Sequence, residues 1–281
     1  MAEVTGFMRH VRACNTAVLP GARLPFRLAG TQVGWVRPAI AEVLAPFAGI
    51  RLDANGVDLD DPAALPVIAR GLAEQGHYRW RQEAFDVRGL GGGAVISQID
   101  RGAIPSFGIE ATGVHVNGLV RRADGLHLWI ARRAADKLLD PGKLDHVVAG
   151  GVPAGYGLMA TLIKEAGEEA SIPPALAEPA RHVGEIRYAM ERPEGLRRDH
   201  LHCFDLELPA DFTPEAADGE VESFELWPIG RVFETVRDTE AFKFNVNLVL
   251  IDLFIRLGLI LGDEAEALRQ GLRPGCPSSI R

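Results

Sequence analysis

Between Pro38 and Phe47 the apolar residues Ile40, Val43, Leu44 and Phe47 recur at spacings of three and four, which places them on one helical face. A second helix is expected from Asp61-Pro62, because proline in the first turn loses no needed hydrogen bond and Leu65, Ile68, Ala69 and Leu72 form a buried stripe. Val57–Leu59 and Ala84–Val87 read as short strands, so the first third is a mixed α/β unit. Beyond Arg101 the chain becomes β-rich. Gly113 to Val120 alternates, Asp124-Gly125 marks a turn, and Leu126–Ala131 completes a predicted hairpin. Pro141-Gly142 precedes a strand at Val147-Val148. A glycine-rich loop over Gly150–Gly157 then leads into a helix from about Leu158 to Ala170, ended by Pro173-Pro174. Ile186–Ala189, His202–Leu208 and Phe224–Trp227 are further strand candidates. Asn245 to Leu259 reads as a closing apolar helix, and the tail after Gly262 as a short helix followed by frayed chain.

Composition narrows the class. The 281 residues suffice for two domains of about 100–150 residues, and 47% apolar with 24% charged residues is ordinary globular usage. A net charge of −8 argues against a nucleic-acid polymer or an anionic membrane as partner, so an anionic small molecule must be held by local cations or bound metal. Cys14, Cys203 and Cys276 are far apart and odd in number, which predicts neither a disulfide framework nor a structural zinc site and fits a reducing cytoplasm. The longest uncharged stretch, His146 to Ile163, is broken by five residues of glycine or proline, so no membrane span is expected.

The informative chemistry lies at the end of that stretch. On the helix predicted after Gly157, Glu165, Glu168 and Glu169 are three and four residues apart and share one side, while Leu158, Leu162, Ile163, Ala166 and Ala170 form the adjoining apolar stripe. Like charges at this spacing cost roughly a few tenths of a kcal/mol per pair unless a cation neutralises them. A solvated acidic face is the plain reading of three such glutamates. The glycines immediately upstream favour a different one, in which backbone approaches the carboxylates closely and a hard divalent ion takes oxygen ligands there.

The segment Gly150 to Ile172 resembles the Nudix hydrolase signature, a loop–helix–loop that holds divalent metal against a diphosphate. Lys164 stands at its arginine, Glu165, Glu168 and Glu169 at its three helix glutamates, and Ile172 at its final apolar position. Tyr156 replaces the first glutamate and Ser171 the last glycine, and the loop is one residue short if Gly151 is taken as the opening glycine. A wider resemblance, to the branch related to thiamine pyrophosphokinase, runs through Val33-Gly34-Trp35-Val36, Trp80-Arg81-Gln82-Glu83, Pro141 to His146, Asp205 to Pro209, Gly219 to Phe224 and Phe242 to Asn245. It implies an α/β fold: a Nudix α/β/α sandwich with a mixed sheet over residues 113–261. A smaller α+β domain over 1–112 would set specificity, and 262–281 would be a tail.

What the resemblance implies for function is metal-dependent hydrolysis of a diphosphate joined to an organic moiety, with oxidised thiamine diphosphates favoured and a monophosphate released. Mg²⁺ or Mn²⁺ would be held by Glu165, Glu168 and Glu169 with a carbonyl near Gly150, and Glu165 and Glu168 would serve catalysis. Within Asp218 to Glu222, Glu220, then Glu222, would be a further ligand or general base; a solvated turn explains that segment as well. Lys143 and His146, with Asp145 between them, are candidates for substrate contact, as are Arg198, flanked by Arg197 and His200 in a predicted loop, and Lys243 before the last helix. His200 and His202 would share a strand face but lack a third zinc ligand, so they read as non-metal. Gly89 to Gly93 reads as a flexible turn and Cys203 as core. An oxidised nucleoside diphosphate such as 8-oxo-dGDP is the alternative substrate. A catalytically silent diphosphate-binding or protein-interaction module is the alternative function, supported by Tyr156. Homodimerisation is left open.

Overall fold

The computed structural model describes residues 6–217 and 219–273, so Asp218 and Cys276 lie outside the described residues. After helix α1 (Met8–Cys14) come strands β1 (Leu24–Leu28) and β2 (Thr31–Val36), helix α2 (Pro38–Leu44), and strands β3 (Ile50–Asp53) and β4 (Gly56–Leu59). Helix α3 (Leu65–Glu74), the hairpin β5 (Ala84–Gly89) and β6 (Gly92–Asp100), and the single turn α4 (Ile104–Phe107) complete the first part. The four strands order as β2-β1-β4-β3. The buried stripe of α3 is the expected one, Leu65, Ile68, Ala69 and Leu72, but the α-helix starts later than Asp61-Pro62 suggests: the Asp61 carboxylate accepts from Ala63 N at 3.0 Å and caps a 3-10 turn over Pro62–Ala64 that runs into α3.

A second, seven-stranded sheet carries the rest. Its hairpin is β7 (Glu110–Arg122) and β8 (Gly125–Arg133), turning at Asp124-Gly125; β9 (Leu144–Asp145) and β10 (Val148–Gly151) follow. Then come helix α5 (Leu158–Ala170), the short turn α6 (Pro174–Ala177), and strands β11 (Arg181–Arg192), β12 (Gly195–Glu207) and β13 (Val221–Pro228). Helices α7 (Ile229–Asp238), α8 (Val246–Arg256) and α9 (Gly262–Leu272) close the chain. The order is β11-β12-β7-β8-β13, with β10 on β7 and β9 on β8. β7 and β12 run parallel and the other pairs antiparallel, which makes the sheet mixed.

Strand alternation sorts this sheet into two cores. Val114, Val116, Phe204 and Leu206 meet Leu162, Ala166 and Ala170 of α5. Leu119, Leu128, Ile130, Leu201 and Cys203 meet α7 and α8 on the opposite face. α8 is buried from Val246 to Ile255, as expected of a helix apolar all round. Its charged residues are paired: Arg256 Nε donates to Asp252 at 2.7 Å, and its two other nitrogens fork onto Asp205 of β12 at 2.6 and 3.1 Å. Among the described residues no helix is long and apolar enough to cross a membrane.

Four expectations change. Gly150 and Gly151 are strand, not loop, because both pair with β7. Arg197, Arg198 and His200 belong to β12, not a loop. Helix α1 precedes the first sheet in sequence but packs Phe7, Val11 and Cys14 into the α8 core, so a first unit spanning 1–112 is not the packing unit. Residues 262–272 are not a tail either, since Ala265, Leu268 and Leu272 are buried in that same core. Phe254 is fully buried where α1, α7 and α8 meet, edge-on to Phe7 and Phe233. Phe254→Ala is expected to lower unfolding free energy by about 3–5 kcal/mol, read as a shifted urea midpoint.

Candidate active site

The site is built where α5 crosses β10. The helix packs Leu162, Ala166 and Ala170 against the sheet, and this brings Glu165 and Glu169, one turn apart, to the strand edge. Val152 N donates to Thr112 O at 2.9 Å, and with Gly150 opposite Val114 the antiparallel alternation turns the Gly150 carbonyl into the ladder with β7. The same alternation points the N–H and carbonyl of Ala149 outward. Ala149 N donates to Glu169 Oε2 at 2.9 Å. Gly150 therefore contributes space rather than an oxygen: a Cβ there would lie 2.5 Å from Glu165 Cγ. The outward carbonyl belongs to Ala149, one residue before the one expected.

The three glutamates are not equivalent. Glu168 is exposed and held by Lys164 at 2.5 Å, while Lys164 reaches Glu165 at 3.2 Å. That hydrogen bond to Glu168 chiefly pushes the Lys164 ammonium up to about 12. Burial raises the Glu165 carboxyl, with Lys164 opposing. Glu169 is pushed up to about 8 by burial, aided by the charges of Asp145 and Glu165 against the Ala149 amide. No cation lies within ion-pairing reach of Glu169 among the described residues, an arrangement that a divalent ion with oxygen ligands would relieve. The donor set fits such an ion.

A cleft beside Glu169 is lined by Arg133, Lys137, Asp145, His146 and Glu220. Glu220 pairs with Lys137 and lines the same cleft as Glu169. Asp145 accepts from Arg133 at 2.7 Å and Lys243 at 3.2 Å; burial alone would raise its carboxyl, but these cations hold it well below the usual range. His146 is buried and neutral, burial lowering it to about 4. Its Nδ1 stands 3.1 Å from His115 Nδ1, and its Nε2 has no hydrogen-bond partner among the described residues. The cleft thus gathers Glu169, Glu220 and His146, with Lys243 bound to its Asp145.

Two predicted residues are elsewhere. Arg198 is buried, its guanidinium 4.6 Å over the Trp35 ring and 3.2 Å from Gly108 O, so it ties β12 to the first sheet. Lys143 does not line that cleft; its carbonyl accepts from Arg133 N at 3.0 Å. Arg133, Lys137 and His115 were missed. Arg133 ends β8, past the predicted run Leu126–Ala131, and Lys137 follows the strand, while His115 alternates with Val114 and Val116, so a sequence pattern marks its face but no partner.

The first part of the chain also touches the site. The Phe85 ring of β5 covers Gly151, where a Cβ would come within 2.5 Å of its Cζ, and Ala154 N donates to Ala84 O at 2.7 Å. The loop into α5 is therefore pinned by β5. Tyr156, in that loop, is exposed. Ser171 ends α5 at φ +52°, a left-handed cap where glycine is the usual residue, and its Oγ donates to Glu215 O at 3.0 Å.

Paired helix carboxylates against a glycine strand edge, in a mixed α/β fold, are a donor set that would fit a hard divalent cation. No family model matches the chain. Nudix hydrolase 20, chloroplastic, of Arabidopsis thaliana is 36% identical over 287 residues, covering 95% of this chain and 77% of that protein. Nudix hydrolase 24, chloroplastic, of the same plant is 36% identical over 272 residues, covering 92% of this chain and 74% of that protein. Among solved structures, DR0079 from Deinococcus radiodurans is 23% identical with a TM-score of 0.45, over 68% of this chain and 100% of that one. The chain belongs to the Nudix hydrolases. It is a hydrolase of a family that acts on diphosphate-containing substrates and generally uses divalent metal ions.

Two outcomes follow from this geometry. Glu169 binds its proton more tightly folded than unfolded, so its contribution to stability is complete below about pH 4.5 and is lost as pH rises through about 8. Urea midpoints in a chelator are expected to fall over that window, and less steeply in Glu169→Gln. Gly150→Ala, by displacing Glu165, is expected to raise the divalent-ion concentration for half-maximal turnover at least about tenfold. An unchanged requirement would show that Glu165 is not held where the cation binds.

Proposed function

We propose that this protein hydrolyses a diphosphate joined to an organic group to give a monophosphate, with oxidised thiamine diphosphates the preferred substrates. The observation that carries this reading is Glu169: a poorly solvated carboxylate, hydrogen-bonded to a strand amide, beside Glu165 and without a cation partner among the described residues. Glu165 and Glu169, with the Ala149 carbonyl, would hold Mg²⁺ or Mn²⁺, and Glu168 would join them on release from Lys164. A bound divalent ion would neutralise the diphosphate and make water more acidic.

The chain's own groups divide the remaining work. Lys243 and Lys137, each paired with a carboxylate on the cleft, would offer their remaining N–H groups to the phosphates. His146 Nε2, unpartnered and neutral, hydrogen-bonds the substrate or its water. Glu220, which lines the same cleft as Glu169, would accept the proton of the attacking water as the P–O–P bridge breaks. The first part of the chain positions the loop through Phe85 and Ala84, and this supports a role for it in substrate choice. The thiamine preference rests on the sequence likeness that extends through both parts of the chain.

The test is phosphate release from thiamine diphosphate, its oxidised forms, 8-oxo-dGDP and ADP-ribose, with Mg²⁺ or Mn²⁺ and with a chelator. Oxidised thiamine diphosphates are expected to give the highest kcat/KM, and chelation to abolish turnover. A preference for 8-oxo-dGDP would overturn the substrate while leaving the reaction standing. Glu169→Gln is expected to lower kcat/KM by at least about 100-fold, since metal-borne charge stabilisation contributes several kcal/mol.

A further inference from the structure

On the sheet face that carries α5, but at its far edge, His182 and Glu185 of β11 meet His202 of β12. Glu185 lies directly opposite His202 in the register. His182 is three residues from Glu185, a spacing that on a regular strand would send the two side chains to opposite faces. The register breaks between His182 and Gly184, and this bulge returns His182 to the face of Glu185. His202 Nδ1 stands 3.3 Å from His182 Nε2 and 3.8 Å from Glu185 Oε1, and one donor atom from each residue lies within 4.8 Å of the other two.

We propose that His182, Glu185 and His202 form a second metal site, separate from the glutamate helix, that takes a borderline divalent ion of the Zn²⁺ type. Ligand atoms about 2.0–2.2 Å from a tetrahedral ion stand roughly 3.3–3.5 Å apart, which the two edges converging on His202 Nδ1 already approach. Two imidazole nitrogens and one carboxylate oxygen suit zinc rather than the oxygen-preferring ions of the helix carboxylates. Exposed His182 leaves a solvent path and a fourth coordination position.

His200 prepares the carboxylate. Arg187 Nη2 donates to its Nδ1 at 3.0 Å, which leaves the ring proton on Nε2, 2.8 Å from Glu185 Oε2. One carboxylate oxygen is thereby held and the other, Oε1, stays directed at His202. The cross-sheet row Gly150, Val114, His202, Glu185 sets this site three strand spacings from β10, roughly 14 Å. An ion there would clamp the bulge of an edge strand to its neighbour, where ladder hydrogen bonds are interrupted.

The test is titration of the full chain, stripped with a chelator, with Co²⁺ followed by visible absorption and displacement by Zn²⁺. One equivalent of Co²⁺ is expected to give the intense bands of a four-coordinate site, kept in Glu169→Gln and absent in His182→Gln. Arg187→Ala is expected to weaken Zn²⁺ affinity about tenfold by freeing the His200 ring. His182 is exposed, so its replacement is expected to fold; the Zn²⁺-dependent rise in Tm of the parent chain should then be missing from that variant. Absence of the bands, their persistence in His182→Gln, or their loss in Glu169→Gln would each overturn the proposal.

Discussion

A two-residue strip of bare backbone holds this molecule's parts in relation. At Gly150 and Gly151 the strand has no side chain to keep its neighbours away, and two elements close on it. Glu165 of α5 comes down on Gly150, and the Phe85 ring settles on Gly151. Successive residues of a strand face opposite ways, so the helix and the ring approach from opposite sides. A methyl group at either position would push away a carboxylate or a ring. The same strip sets the outward turn of Ala149, and with it the amide that fixes Glu169.

Electrostatics around that strip has one consistent logic. Most acidic groups near the cleft have a basic partner: Glu168 with Lys164, Glu220 with Lys137, Asp145 with Arg133 and Lys243. Glu169 is held by an amide instead, and burial without a cation raises its carboxyl. Elsewhere charged groups serve the fold, as where Arg256 bridges α8 to Asp205 and Arg198 lies over Trp35. These groups are held by partners within the fold and lie outside the cleft.

Legibility differed from one residue to another for physical reasons. The helix Leu158–Ala170 could be read because its apolar stripe and acidic edge both follow the helical period, and its observed bounds are the expected ones. The hairpin at Asp124-Gly125 was legible from turn chemistry and alternation. Arg198 carried the same basic side chain whether it bound substrate or Trp35, and only the position of the first sheet separates those outcomes. His182 and Glu185 gave no signal, because a bulge changes which face a residue occupies without leaving a periodic trace.

The sequence by itself determined the helix glutamates, their glycine-rich approach and the alternation of the main strands, since all are local and set by propensity and period. The tertiary structure decided that Glu169 alone among the three rests on a strand amide, and that Ala149 rather than Gly150 turns its carbonyl outward. It also decided that α1 and α9, the first and last described helices, share one core with α8. Each depends on which segments pair and in what register, and register is a property of two distant stretches of chain rather than of either one.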